Sequence, residues 1–268
     1  MQGASKRGSE AYPLCTLSFR VSGNEAELAR SSFARGSTVR AFHFNNNTAI
    51  IPRLSFNNSG GANNYMTLTT RIHLIRHGQV EGFDSPRYNG QTNVALTKIG
   101  VEQYHRMKER LKGLNISACY TSDLSRCSIG ADIICPQFKI EPVKRSELRE
   151  LNIGLWEGLT WEEINSRWPE EWKARLADMV NYRVPQGENL LDIQSRVMPV
   201  IKEFIEKHQG HEILVVGHGG VNRIVLLNAI GAPLSSVFNI EQNFCCYNII
   251  DYYSDGPTTV KLMNEQLL

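Results

Sequence analysis

Residues 72–78 read Ile-His-Leu-Ile-Arg-His-Gly, and this stretch decides the fold class of the chain. Its first four residues form a short, mostly apolar run that passes at once into a glycine-marked loop, as a buried strand does. Residues 213–220, Ile-Leu-Val-Val-Gly-His-Gly-Gly, repeat the order of apolar strand, histidine and glycine. A helix is predicted to follow at about 221–230.

The segments around these two strands alternate between strand and helix patterns. Thr97 can cap a helix that carries Val101, Tyr104, Met107 and Leu111 on one stripe. Alternation of this kind predicts an α/β fold, three layers deep, with a mostly parallel sheet and helices on both faces. The remaining predicted elements are strands at 116–120, 247–252 and 258–263, and helices at 124–134, 161–179 (broken near Pro169) and 190–208 (kinked at Pro199).

Residues 1–65 have a different composition from the rest. Serine, asparagine and glycine dominate, as in residues 56–64 (FNNSGGANN), which predicts a flexible, low-complexity N-terminal extension. We therefore expect one folded domain at 66–268, with Met66 as the true or ancestral start. An organelle transit peptide is the alternative, because the segment is rich in arginine and serine and poor in acidic residues.

The net charge of +2 is unevenly distributed along the chain. Residues 1–65 hold seven Lys/Arg and three Asp/Glu, a net of +4, which leaves 22 basic and 24 acidic residues in 66–268, a net of −2. The folded domain thus lacks the basic excess of a general nucleic-acid binder, and we expect no nucleic-acid partner. Any anion site in it must be local.

Composition also predicts the compartment. No run approaches the roughly 18 apolar residues of a membrane span, and the first 30 residues lack the apolar core of a secretory signal. The six cysteines form no C-x-x-C pair, so we interpret them as buried free thiols in a reducing compartment. These features predict a cytoplasmic protein without a membrane partner.

Two histidines stand where parallel sheets bind ligands, beyond the carboxyl ends of strands. His77 and His218 each precede a glycine, which lets backbone N–H groups come close to a ligand. Arg76 adjoins the first histidine, and Arg126 lies just past the second predicted strand. Two arginines, two histidines and free amides at a helix start predict a pocket for a dianion, with phosphate as the best candidate.

Four segments in order resemble the histidine phosphatase (phosphoglycerate mutase-like) superfamily. They are residues 74–78 (LIRHG), 120–126 (YTSDLSR), 148–158 (LRELNIGLWEG) and 215–220 (VVGHGG). The resemblance covers about residues 70–265 and does not extend to 1–65. It implies that residues 66–268 are a histidine phosphatase catalytic domain with the superfamily's α/β fold.

The resemblance implies three catalytic residues and no metal or cofactor. His77 is the expected nucleophile, and a phosphohistidine intermediate splits one difficult displacement into two. Glu150 matches the position of the general acid, with Glu157 as its nearest rival. His218 is expected to act on the transferring phosphoryl group.

Substrate binding is expected from Arg76, Arg126, the Gly219 amide and Asn89. Asn89 is a candidate only by its place, since many members have an asparagine a few residues after Arg-His-Gly. Here Phe83 and Asp84 stand in that neighbourhood. The expected partner is a small phosphomonoester, and a homodimer is left open.

The substrate branch most similar to this sequence is α-ribazole phosphatase, which serves cobalamin biosynthesis. Residues 90–97 and 148–160 bear that similarity. Glycerate mutases of the superfamily have a longer, basic insertion between acid and second histidine, whereas 68 positions separate Glu150 from His218 here. Tryptophans dominate the front of this stretch, as an aromatic lid or the core of a helical cap. A broad-specificity sugar-phosphate phosphatase or a phosphoglycerate mutase is the alternative.

Two hypotheses come from other classes. One is a non-catalytic module that binds a phosphorylated ligand. The other is a metallohydrolase that uses His73, His77 and His218, although His73 alternates with apolar neighbours and is expected to face the core.

Overall fold

The computed structural model describes residues 67–267. Within these residues, six strands form one sheet in the order β3-β2-β4-β1-β5-β6. The first four run parallel, and β5 and β6 pair antiparallel to their neighbours, so the predicted mostly parallel sheet is confirmed. The strands are β1 (Thr69–Arg76), β2 (Ile116–Thr121), β3 (Pro142–Lys144), β4 (Glu212–Gly217), β5 (Tyr247–Tyr253) and β6 (Thr259–Glu265).

The described part of the chain also contains six α-helices. The helix predicted at 161–179 is broken before Pro169, as expected. The helix that contains Pro199 continues through that residue without interruption. The helices are α1 (Lys98–Arg110), α2 (Ser125–Ile134), α3 (Trp161–Arg167), α4 (Pro169–Ala177), α5 (Leu190–Lys207) and α6 (Gly219–Ile230).

Alternation along β4 creates the three layers. Ile213 and Val215 point into a core formed with α5 and α6, whereas Leu214 and Val216 point into a core formed with α1 and α2. Successive side chains of a strand face opposite sides, so a continuous apolar run is buried on both faces. This explains why residues 213–216 are all inaccessible to solvent.

The register of the two central strands sets the position of the site. Arg76 of β1 lies opposite Gly217 of β4, so both strands end at the same sheet edge. The His77 N–H then donates to the Gly217 carbonyl at 3.0 Å. The residues after these strands, His77 and His218, are therefore adjacent.

Residues 153–184 form a helical cap with an apolar core of its own. Ile153, Trp156, Ile164 and Val184 are buried there, and Tyr88, Trp168, Trp172 and Tyr182 pack around them. Trp168 and Trp172 are thus core residues of the cap, whereas Trp161 is 52% exposed.

Strand β3 was not predicted from the sequence. β3 has three residues, and its central Val143 is half exposed, so the segment offers neither the length nor the apolar pattern of a buried strand. The predictions for residues 1–65, for Met66 and for Cys15 lie outside the described residues. The other five cysteines are buried free thiols, and no helix between 67 and 267 has the length and apolarity to cross a bilayer.

Helices α1 and α2 meet at a glycine. A Cβ atom at Gly130 would lie 1.9 Å from Cζ of Tyr104, whose hydroxyl donates to the Arg126 carbonyl at 2.8 Å. We expect Gly130→Ala to lower the free energy of unfolding by about 1–3 kcal/mol despite the better helix propensity of alanine, because the core has no room. Urea denaturation measures this. Asp132→Ala, on the exposed side of α2, is the control, and equal stability of both variants would contradict the close packing.

Candidate active site

His77 presents one free ring nitrogen. Its Nδ1 lies 2.8 Å from the Gly78 carbonyl oxygen, which only accepts hydrogen bonds, so Nδ1 carries the proton and Nε2 the lone pair. Gly78 is fixed by a close approach, since a Cβ there would lie 2.5 Å from the Gly100 carbonyl oxygen. The backbone contact of these two glycines therefore fixes the position of the residue next to His77.

The charge state of His77 follows from its surroundings. Burial lowers the pKa of His77 well below its ordinary value, and the positive charges of Arg76 and Arg126 lower it further. The imidazole is therefore neutral at pH 7. A neutral ring with a free Nε2 is the form that attacks phosphorus.

Arg76 holds its guanidinium between the end of β1 and the segment before β5. Its Nη1 donates to the Gln242 carbonyl, and its Cζ lies 4.3 Å from the centre of the Phe244 ring. The buried Nε has no hydrogen-bond partner in the described part of the chain. Burial lowers the pKa of Arg76, while the Glu150 carboxylate opposes this shift.

Arg126 is buried and joins three parts of the site. Its Nη1 and Nη2 donate to the carbonyls of Thr92 and Gly90, each at 2.7 Å, and its Nε donates to Nδ1 of His218 at 3.2 Å. A guanidinium has five N–H groups, so two are left for a ligand in the pocket. The N-terminus of α2, which carries Arg126, is held by the Asn93 side chain, which accepts from the Ser125 N–H at 2.8 Å.

His218 is fully buried beside His77, with ring centres 5.2 Å apart. Because Nδ1 accepts from Arg126, Nε2 carries the proton and donates to the Ser122 hydroxyl at 2.9 Å. Burial, then Arg126 and His77, lower the pKa of His218 well below its ordinary value. In this arrangement the ring supports Arg126 from behind the cavity wall.

Glu150 lines the same cavity. Its Oε2 accepts from the Gly220 N–H and its Oε1 from the Leu151 N–H, both at 2.9 Å. Arg196 of α5 holds this segment by donating to the Glu150 carbonyl at 2.9 Å while it pairs with Glu188. The carboxylate therefore lies at the positive end of α6.

Glu157 takes a different place. Its carboxylate accepts from the backbone N–H groups of Gln91 at 2.7 Å and Thr92 at 2.9 Å, and from the Thr92 hydroxyl. Glu157 thus fixes the loop whose carbonyls hold Arg126. Of the two candidate acids, only Glu150 lines the cavity.

The two weaker candidates differ in position. Asn89 lines the cavity, next to Tyr88. Gly219 packs behind it, where a Cβ would lie 3.2 Å from Nη1 of Arg223 and 3.4 Å from Nε of Arg76. The glycine at the wall is Gly220, and its amide already binds Glu150.

The cavity has a volume of about 390 Å³ and extends from the sheet edge to the cap. The lining residues that were not predicted include Phe244, Arg223 and Arg175. Arg223 lies five residues after His218, on a helix that begins at the site. This spacing could have predicted from the sequence that Arg223 lies near the cavity. Arg175 was noted only as one of several scattered basic residues of the cap, because sequence cannot tell which side chain turns inward.

The hypothetical metal set does not assemble. The ring nitrogens of His73 bond to the Tyr247 hydroxyl and, at 3.0 Å, to the Glu212 carboxylate, and the side chain is buried away from the cavity. Between residues 67 and 267, no three His, Cys, Asp or Glu side chains gather as metal ligands.

Comparison with known proteins identifies the family of the chain. A family model described as histidine phosphatase superfamily (branch 1) matches residues 72–265. The chain belongs to this superfamily. The resemblance found in the four sequence segments is therefore confirmed.

Proteins similar to this superfamily member include a probable phosphoglycerate mutase and an α-ribazole phosphatase. The probable phosphoglycerate mutase GpmB of Proteus mirabilis is 28% identical over 183 residues, covering 68% of this chain and 85% of the relative. The α-ribazole phosphatase of Shigella flexneri is 25% identical with a TM-score of 0.68, covering 73% of this chain and 96% of that one. YhfR of Bacillus stearothermophilus is 25% identical with a TM-score of 0.68, covering 74% and 98%.

The different positions of the two glutamates lead to different expected phenotypes. We expect Glu150→Gln to lower kcat by about 10²–10⁴-fold, because a proton donor at the cavity is lost. Glu157→Gln should lower the free energy of unfolding by about 1–3 kcal/mol, because charged hydrogen bonds to the loop are lost. Steady-state kinetics and thermal melts measure these effects, with exposed Glu162→Gln as control. A stable Glu157→Gln that loses as much kcat as Glu150→Gln would assign the acid to Glu157.

The lowered histidine pKa values predict a pH-dependent stability. Below the ordinary histidine pKa of about 6.5, the unfolded chain binds protons that His77 and His218 do not bind in the folded state. The stabilisation from these two neutral rings is therefore complete above this pH and is lost as the pH falls below it. Each histidine contributes up to about 1.4 kcal/mol per pH unit. Urea unfolding between pH 7.5 and 5 measures the slope, which should decrease by about one proton in His77→Gln. An unchanged slope would mean that His77 titrates normally.

Proposed function

We propose that this histidine phosphatase hydrolyses phosphomonoesters through a phosphohistidine formed on His77. The observation that carries the proposal is the pairing of a neutral His77, its Nε2 unprotonated, with two arginines and a carboxylate around one cavity. Members of the superfamily are phosphatases and mutases, so membership supports phosphoryl transfer.

In the first step the lone pair on His77 Nε2 forms the N–P bond while the P–O bond to the leaving group breaks. The unused N–H groups of Arg76 and Arg126 stabilise the equatorial phosphoryl oxygens. The Glu150 carboxylic acid gives its proton to the departing alkoxide. The hydrogen bond from Nδ1 to the Gly78 carbonyl stabilises the positive charge that the ring acquires.

In the second step water replaces the leaving group. The Glu150 carboxylate takes a proton from the water as its oxygen bonds to phosphorus, and the N–P bond breaks to restore the lone pair on His77. Inorganic phosphate leaves and Glu150 is again protonated. The cycle uses water and side chains of this chain; that no metal or cofactor takes part stays a prediction.

Hydrolysis is favoured over mutase action by the cap. A mutase must hold a phosphorylated acceptor while the phosphoryl group is transferred back from the histidine. Holding that acceptor requires basic residues on the cap surface that faces the cavity. Here the core of the cap is aromatic, with Trp156, Trp168, Trp172 and Tyr182 packed together, and Arg175 is the only basic residue among the cap residues that line the cavity. A phosphoglycerate mutase remains the second candidate because of the likeness to GpmB.

For the leaving group, the sequence points to α-ribazole 5′-phosphate, and thus to cobalamin biosynthesis. The likeness to the Shigella α-ribazole phosphatase supports this, and exposed Phe83 and Phe238 at the cavity offer surfaces for an aromatic base. Broad sugar-phosphate hydrolysis is the alternative. A cytoplasmic location and a possible homodimer stay predictions, as does the absence of nucleic-acid and membrane partners.

Phosphate release from a panel of monoesters in excess EDTA tests the reaction. We expect turnover by the wild type, and about 10³-fold or greater loss in His77→Ala, because the nucleophile is removed. Exposed His211→Ala is the matched control. A rapid acid-free quench should trap an alkali-stable phosphohistidine in the wild type but not in His77→Ala.

The panel should include α-ribazole 5′-phosphate, 3-phosphoglycerate, a sugar phosphate and p-nitrophenyl phosphate. Isomerisation of 3-phosphoglycerate without phosphate release would identify a mutase. Binding of phosphate without turnover of any ester would leave a non-catalytic module, and activity abolished by EDTA would favour the metallohydrolase.

A further inference from the structure

Arg76 is held by fewer hydrogen bonds than Arg126, although both arginines line the cavity. Within residues 67–267 the Arg76 guanidinium donates only to the Gln242 carbonyl, and its buried Nε has no hydrogen-bond partner. The Arg126 guanidinium donates to two carbonyls and to a histidine ring. Because an arginine side chain has many rotamers, one hydrogen bond does not fix the plane of the Arg76 guanidinium.

The Phe244 ring makes a second contact with this guanidinium. Cζ of Arg76 lies over the ring, 4.3 Å from its centre. A guanidinium within about 6 Å of an aromatic centre is attracted by the negative face of the ring, and more strongly where water is excluded. The ring centres of His77 and Phe244 are 5.7 Å apart, and Phe244 lines the cavity. One aromatic side chain therefore packs against both the expected nucleophile and the arginine beside it.

The backbone that follows Phe244 is hydrogen-bonded to the same two residues. The Cys245 N–H donates to the His77 carbonyl at 2.9 Å, and the Arg76 N–H donates to the Cys246 carbonyl at 3.2 Å. Cys245 has a φ of 52°, in the left-handed region that residues other than glycine rarely adopt. Such a conformation costs free energy and persists only where the surrounding structure holds it. The two hydrogen bonds therefore fix the turn that places the Phe244 ring.

A ring that covers one face of a guanidinium leaves its edges free. The N–H groups of a guanidinium lie in its plane and point outward, so two of them can match two oxygens of one phosphoryl group. Stacking on Phe244 thus blocks approach from the covered face and uses none of the donors of Arg76. The N–H groups of Arg76 that do not bind Gln242 remain available to a ligand in the cavity.

We propose that Phe244 is a positioning residue for phosphoryl transfer. Its ring fixes the plane of the Arg76 guanidinium, so that the free N–H groups are directed at the phosphoryl oxygens before the substrate binds. Phe244 thus acts through Arg76, and the inference rests on the hydrolysis proposed above. An aliphatic side chain at this position would leave the arginine charged but less precisely oriented.

Substitutions of Phe244 test the proposal, with p-nitrophenyl phosphate as the substrate. We expect Phe244→Leu to lower kcat/KM about tenfold because the ring face is lost, and Phe244→Tyr to stay within about threefold of the wild type because its ring also attracts a cation. Trp161→Leu is the control and should match the wild type, because it removes an exposed ring of the cap that does not line the cavity. Wild-type activity in Phe244→Leu would contradict the proposal.

A double-mutant cycle separates the positioning of Arg76 from general packing. If Phe244 acts through Arg76, adding Phe244→Leu to Arg76→Ala should lower kcat/KM by only about twofold or less, because the effects of residues that act as a unit are not additive. A further loss as large as that in the wild-type background would mean that Phe244 acts independently of Arg76, and the proposal would be wrong.

Binding of inorganic phosphate tests the same role without turnover. Isothermal titration calorimetry should give a dissociation constant about tenfold higher for Phe244→Leu than for the wild type. Replacement of Phe244 by 3,4,5-trifluorophenylalanine keeps the shape of the ring but withdraws negative charge from its face, so the constant should rise about threefold or more without a change in packing. An unchanged constant in either protein would overturn the proposal. If no ester is hydrolysed the proposed function fails, but these constants still support or overturn the role of Phe244.

Discussion

The buried Arg126 guanidinium is the interaction on which the rest of the site depends. It connects the start of α2, the loop at Gly90 and Thr92, and the ring of His218, three parts that are far apart in sequence. Glu157 fixes the same loop from outside by accepting its N–H groups. The arginine expected to bind phosphate is therefore also the residue that organises the cavity, and its side chain is preorganised before any ligand arrives.

Charge balance explains the state of the two histidines. Arg76 and Arg126 are permanently charged, so protonation of either neighbouring ring would add like charge in a buried space. The rings stay neutral instead, with tautomers fixed by the Gly78 carbonyl for His77 and by Arg126 for His218. The electrostatic cost of protonation therefore keeps the His77 ring neutral. A neutral ring has the nitrogen lone pair that a nucleophile needs.

Much of the fold could be predicted because its signals are local. The apolar runs of β1 and β4, the Thr97 cap of α1 and the break at Pro169 depend on neighbours in sequence. The juxtaposition of His77 and His218 followed from the rule that parallel strands end at one sheet edge. Arg175 and the orienting contacts of Arg196 could not be found this way, because they depend on how the cap and α5 pack. Glu150 and Glu157 were separated only by the direction of each side chain.

The cap has its own small hydrophobic core, distinct from the two cores that flank the sheet. Substitutions among its aromatic residues therefore affect mainly the cap, because the layers that hold His77 and Arg126 have cores of their own. Such an arrangement lets evolution change one end of a binding cavity while the chemistry at the other end is inherited intact. Proteins with this architecture can therefore acquire specificity for new leaving groups by changes in the cap alone, without changes in the catalytic residues.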